Sequence, residues 1–135
     1  MLLVDGNGIP LALTMRSAQQ SEMKLALEVV DQATRKPKRV VADRGYDWKV
    51  LRQELRARKI TPYIPKRQGW KKDKPRKPMS KTLTYWYKKR WVVERSFAWL
   101  QNYRKLTVRW EHSTITYAGL MHLALVMLVL GRVLK

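Results

Sequence analysis

Two carboxylates stand apart in a chain dominated by cations. Asp43 follows the run Arg39-Val40-Val41-Ala42, and Glu94 lies within Tyr87-Lys88-Lys89-Arg90-Trp91-Val92-Val93-Glu94-Arg95. Lys and Arg number 29 against 10 Asp and Glu, for a formal net charge of +19. An acid kept among so many positive groups suits the task of holding a hard divalent cation against a phosphate, because such ions take oxygen ligands. On a helix, Tyr87, Arg90, Glu94, Phe97 and Gln101 advance by 3, 4, 3 and 4 residues and share one face. A carboxylate with an arginine one turn before it and a tyrosine two turns before it is a candidate metal ligand beside phosphate-binding groups. The plainer reading is an exposed Arg90–Glu94 ion pair worth about a few tenths of a kcal/mol; the two are compatible. Asp43 sits where a strand gives way to its turn, the end at which open α/β sheets bind ligands. Taken alone, that position fits a turn aspartate capping its own backbone better.

The elements that must position these acids follow from pattern. Asp5-Gly6-Asn7-Gly8 between Leu2-Leu3-Val4 and Ile9–Leu13 is a hairpin signal, since tight turns need positive φ. Ser21 can cap a helix to about Gln32, with Met23, Leu27 and Val30 at helical spacing. Arg39 to Ala42 reads as a buried strand. Asp47 can cap a helix to about Lys59 with Val50, Leu51 and Leu55 inward and Arg52 largely outside that stripe. Ile60 to Ile64 is a strand closed by Pro65, so this stretch is a βαβ unit with parallel strands. Residues 66–81 form a basic loop with Gly69, Pro75 and Pro78. Thr82 to about Tyr103 reads as one long helix and Tyr117 to Leu134 as another. The order predicts a single α/β domain over residues 1–135 with a mixed sheet flanked by helices.

The charge favours polyanions such as nucleic acid. With no cysteine, disulfides and thiolate metal sites are excluded. Ala118 to Leu130 is strongly apolar but shorter than the ~18–20 residues that span a bilayer. It reads as a buried core helix, with His122 a core histidine and no membrane partner. Lys66, Arg67, Lys88, Arg90, Arg95, Arg104 and Arg109 are candidate phosphate contacts. Trp86, Trp91, Trp99 and Tyr103 could stack on unpaired bases, although Phe97, Trp99 and Leu100 fit core packing better. Phosphate contacts carry no base information, so the basic loop is a clamp and not a sequence reader.

Val41-Ala42-Asp43-Arg44-Gly45-Tyr46-Asp47 resembles the second-aspartate motif of insertion-sequence DDE transposases of the IS4 and IS5 type. Tyr87, Arg90 and Glu94 fit the Tyr-x₂-Arg-x₃-Glu pattern that carries that family's catalytic glutamate. Arg95-Ser96-Phe97-Ala98-Trp99-Leu100, Tyr103-Arg104-Lys105-Leu106 and Arg109-Trp110-Glu111 continue in the same style, so the resemblance covers nearly the whole chain. It implies a ribonuclease H-like fold and Asp43 and Glu94 as catalytic metal ligands for Mg²⁺ or Mn²⁺. It further implies DNA contacts by Tyr87 and the cations named above, with the element's ends and a target as partners and a homo-oligomer as a further option. The implied chemistry is two-metal phosphoryl transfer, in which water and then a 3′-hydroxyl attack phosphorus. The expected location is the bacterial cytoplasm, with the nucleoid.

The family's first aspartate lies on the first strand of the fold, and this chain is expected to begin after that strand. Asp5, the only early candidate, sits in a hairpin turn. The basic residue often found seven positions after the glutamate is Gln101 here. The expectation is therefore an N-terminally incomplete domain from a truncated element or split frame, with an upstream polypeptide supplying the first aspartate. The competing readings are a non-catalytic basic DNA-binding protein or relic and, less favoured, a basic membrane-surface protein.

Overall fold

The computed structural model describes residues 1–16, 21–67, 78–108 and 110–134. Strand β1 (Leu2–Val4) and strand β2 (Pro10–Leu13) form the expected hairpin, antiparallel, with Leu2 opposite Leu13 and Leu3 opposite Ala12. Asp5 organises the turn: its Oδ1 accepts from the Asn7 and Ile9 amides at 2.8 and 2.9 Å. Gly8 lies at φ +84°, where a side chain is strained. Helix α1 (Glu22–Asp31) buries Val29 and Val30, although the Ser21 side chain before it makes no capping bond.

Next come strand β3 (Arg39–Val41), a 3₁₀ turn over Arg44–Tyr46, helix α2 (Lys49–Ala57) and strand β4 (Thr61–Tyr63). Leu51 and Leu55 point α2 into the core, whereas Val50, expected beside them, is half exposed; β3 and β4 pair in parallel, as a βαβ unit requires. Pro62 sits mid-strand in β4. Thr61 and Tyr63 use their backbones toward β3, so the missing N–H of Pro62 lies on the outer edge, where proline is tolerated.

The α/β layout holds, but not as the single mixed sheet expected: the strands pair as two separate two-stranded sheets, β1-β2 and β3-β4. One apolar layer still serves both. Val29, Val30, Leu51, Leu55, Ile60 and Ile64 form a core against which Met1 and Leu3 of the hairpin, Val40 of β3 and Ala42 just after it pack. On the opposite face Leu2 joins Leu100, Ala124 and Leu125.

Helix α3 (Lys81–Lys88), capped by Ser80 Oγ accepting from the Leu83 amide at 3.2 Å, is followed by α4 (Trp91–Gln101), α5 (Arg104–Thr107) and α6 (Thr114–Val133). The long helix expected from Thr82 to Tyr103 is thus broken at Lys89–Arg90. The Lys89, Arg90, Val92 and Val93 amides each donate three residues back, at 3.0 to 3.2 Å, tightening the chain into a 3₁₀-like turn.

Helix α6 corrects a second expectation. It is long and apolar enough to cross a membrane by length and composition, yet only 11% of its most apolar stretch is buried. Ala124 and Leu125 face the core, while Leu123, Val126, Met127 and Leu130 are about half exposed. His122 is an exposed residue, not a core histidine; its Nδ1 lies 2.8 Å from Ala118 O. A helix apolar all round gives no sign in its sequence of how many faces the rest of the chain can cover. Here one face is covered by the described residues.

Candidate active site

Asp43 leaves β3 and caps the 3₁₀ turn, its Oδ1 accepting from the Arg44 amide at 2.6 Å. The same oxygen accepts from the Tyr87 hydroxyl at 3.1 Å, across 44 residues of sequence. Asp43 is held below the usual carboxylate range by the Arg44 amide first; burial opposes this, and the Tyr87 bond and the charges of Arg90 and Arg44 reinforce it. Tyr87 is pushed up, by burial and by its bond to the carboxylate. It therefore stays a hydrogen-bond donor at neutral pH.

Arg90 carries the connection onward. Its guanidinium lies over the Tyr87 ring at 5.5 Å, and its Nη1 meets Glu94 Oε1 at 2.8 Å. The broken helix explains the closeness: a 3₁₀ turn eclipses residues three apart, which stacks Arg90 on Tyr87. Asp43 and Glu94 thus belong to one neighbourhood, linked through Tyr87 and Arg90. Glu94 is exposed in the first turn of α4.

Asp47 does not cap α2, whose N-cap is Trp48. Instead its Oδ1 accepts from Arg52 Nε at 2.8 Å and Nη2 at 2.6 Å, and its Oδ2 from the Arg67 amide at 2.6 Å. Arg52 Nη2 also donates to Ile64 O at 2.6 Å. Both side chains are only 17% exposed. Burial alone would raise Asp47; the Arg67 amide and the bond and charge of Arg52 outweigh it and hold the acid low. This clamp ties the end of β4 and the start of the basic segment to the turn carrying Asp43. Helical spacing sets Arg52 largely outside the inward stripe of α2. Its pairing runs to the turn and to β4, and helical periodicity carries no sign of that.

The predicted phosphate contacts divide by surroundings. Lys66, Arg67, Lys88 and Arg104 are exposed. Arg95 is half-buried, over Trp91 at 4.4 Å and Trp99 at 4.8 Å, with Nη2 donating to Asn7 O at 3.0 Å. Arg132 covers Trp99 at 4.2 Å and donates to the same carbonyl at 2.9 Å. These two arginines hold the hairpin turn to α4 and α6. Trp86 lies beneath Arg39 at 4.6 Å and Lys89 at 5.2 Å. Phe97 is 41% exposed and so is not the core residue expected, whereas Leu100 is buried. Arg109 and residues 68–77 of the basic loop lie outside the described residues.

Oxygen donors kept ionised are what a hard divalent cation takes, and Asp43 is such a donor. Among the described residues, however, no group of three or more His, Cys, Asp or Glu could hold a metal ion. Asp43 and Glu94 are two carboxylates, short of such a group.

A family model described as "Transposase DDE domain" matches residues 1–129. A protein of Burkholderia cepacia named as a candidate transposase for insertion sequence element IS402 is 31% identical over 132 aligned positions. That alignment takes in 90% of this chain and 57% of the relative, so the chain spans little over half the relative's length. No solved structure matches.

Proposed function

This chain belongs to the DDE transposase family, and we propose that it forms the Asp43–Glu94 part of a ribonuclease H-like catalytic domain that cuts and joins DNA in insertion-sequence transposition, of the IS4/IS5 type. The observation that carries the reading is the chain of contacts Asp43–Tyr87–Arg90–Glu94, which draws together the two acids of the matching motifs.

Asp43 and Glu94 would hold Mg²⁺ or Mn²⁺, which when bound polarises the phosphate and activates the attacking oxygen. The chain's own groups prepare that site. The Arg44 amide and Tyr87 hydroxyl fix Asp43 in its charged form and aim its carboxylate. Arg90 places a cation beside both acids, where it would be positioned to meet a phosphate oxygen. Lys66, Arg67, Lys88 and Arg104 supply exposed positive charge for the DNA backbone. Complete strand cutting is assigned to the longer protein, in a bacterial cytoplasm, with a third acid joining the two present here. Alone, this chain is read as a salt-sensitive DNA binder.

The test is divalent-cation-dependent nicking of DNA bearing the element's own ends, in the full-length protein, with Asp43→Asn and Glu94→Gln. Each variant is expected to lower cutting by at least about 100-fold, several kcal/mol in the barrier, with DNA binding retained. Undiminished cutting in either variant removes that residue from the site; binding without any cutting in the parent protein favours the non-catalytic alternative.

A further inference from the structure

Glu22 opens α1 and is exposed. Among the described residues it is the one acidic side chain with neither a hydrogen bond nor an ion pair. Asp5 holds its turn, Glu28 meets Arg16, and Asp31 and Glu54 share Arg58. Asp47 takes Arg52, Asp43 takes Tyr87, Glu94 takes Arg90, and Glu111 is also engaged. An acid left unpaired in a chain of net charge +19 is out of keeping with the rest.

Helical spacing decides which way Glu22 looks. Glu22, Leu25, Ala26 and Val29 stand at i, i+3, i+4 and i+7 and share one face of α1. That face lines a cavity of about 440 Å³. The same cavity is lined by Asp43 and Tyr46, from the turn after β3, and by Arg90. The charges of Glu22 and Asp43 both reach Tyr46, whose phenol is pushed up by burial first and then by these two acids. Arg90 is already paired with Glu94. The plain reading of Glu22 is a negative charge that suits the dipole at the start of a helix. The dipole acts along the axis and does not choose a face, whereas Glu22 stands on the face that lines the cavity holding Asp43.

We propose that Glu22 is a further positioning residue of the strand-cutting site, facing the cavity from α1 and holding the water shell of the divalent cation that Asp43 takes directly. This role rests on the reading of Asp43 and Glu94 as metal ligands. Magnesium binds through one or two carboxylates and keeps several of its waters. A further carboxylate beyond direct reach accepts hydrogen bonds from those waters and fixes how the ion sits. The described acids include no group of three that could hold one ion together, so Glu22 belongs to the outer shell and makes no third direct bond. It is additional to the acid assigned to the longer protein.

The probe is Mn²⁺, titrated into the full chain without DNA at low ionic strength, with the free ion read by electron paramagnetic resonance. Saturable binding is expected, and Mg²⁺ should compete. Glu22→Gln should weaken binding about tenfold, the loss that follows removal of an outer-shell partner. Glu22→Asp should restore part of it. Glu54→Gln removes the same charge from an acid paired with Arg58 and should leave the affinity unchanged. A role confined to the helix dipole would lower the melting temperature of Glu22→Gln without moving its Mn²⁺ affinity. In the parent chain, with no substitution at all, Mn²⁺ should broaden the amide NMR signals of Glu22 and Asp43 together. Unchanged affinity in Glu22→Gln beside a loss in Asp43→Asn would overturn the proposal and leave the reading of Asp43 standing. An equal loss in Glu54→Gln would reduce Glu22 to its net charge and overturn the proposal too. No saturable binding in the parent, or binding that Asp43→Asn leaves intact, would remove the metal role of Asp43 and that of Glu22 with it.

Discussion

The Tyr87 hydroxyl donates to Asp43 Oδ1 at 3.1 Å, although the two residues come from α3 and the end of β3. That bond makes Tyr87 a positioning group for the acid. Its hydroxyl is committed to the carboxylate, which bears on the proposal that it also contacts DNA.

Tyr87→Phe should therefore raise the Asp43 titration midpoint, followed by carboxyl NMR. In the parent chain that midpoint lies below the usual carboxylate value of about 3.9, chiefly through the Arg44 amide, which the substitution leaves in place. The shift should be partial. An unchanged midpoint would mean that the hydroxyl does not engage the carboxylate in solution.

Asp47→Asn should cost about 2–3 kcal/mol of stability in urea unfolding, because it leaves the largely buried Arg52 without its counter-charge and strips charge from the acceptor of the Arg67 amide. The sign with pH follows from the lowered pKa of Asp47 in the folded chain. The contribution is fully present above the unfolded value of about 3.9 and is lost as pH falls below it through the folded value. The gap between parent and variant should thus close on acidification below about pH 4.

Gly8→Ala should destabilise by about 1–2 kcal/mol from its left-handed backbone alone. The added Cβ also meets Ser96 Oγ at 3.1 Å and Val92 Cγ1 at 3.2 Å. Ser96 is fully buried and donates to Gly8 O at 3.2 Å, so relief would cost a bond between hairpin and α4. Gly6→Ala, where a Cβ meets nothing within 4 Å, is the control and should be nearly silent in the same thermal melt.

Arg104→Ala and Arg95→Ala should part company. The exposed Arg104 can take a phosphate, so its removal should lower DNA affinity and flatten the plot of log K against log salt by about 0.9 for the one phosphate set free, with little change in melting. Arg95 holds Asn7 O and covers Trp91 and Trp99, so its removal should appear first as destabilisation. Equal salt slopes in parent and Arg104→Ala would take Arg104 off the DNA.

Local chemistry is legible in the sequence where local chemistry decides. Asp5-Gly6-Asn7-Gly8 turns as its residue types require, and Leu51 and Leu55 go inward on their helical spacing. Motif resemblance suggests the link between Asp43 and the Tyr87–Glu94 segment, and the structure adds the hydrogen bond that makes it. What stays hidden is tertiary. Asp47 reads as a helix cap until Arg67 and Arg52 compete for its oxygens. The break at Lys89–Arg90 lies in a stretch without glycine or proline, so no residue type announces it. The solvent-facing side of α6 is as apolar as its inner side, so periodicity does not say which residues are covered.

That outer side of α6 has a practical consequence for handling the protein. A formal net charge of +19 keeps molecules apart at low ionic strength. Salt strong enough to strip polyanions held by charge alone shortens the Debye length to about 3 Å at 1 M and removes that repulsion. Bare Leu123, Val126, Met127 and Leu130 are then free to meet their equivalents on neighbouring molecules. Colloidal stability and freedom from contaminating polyanion therefore pull in opposite directions, and clarity should be lost over the same salt range in which the protein comes clean.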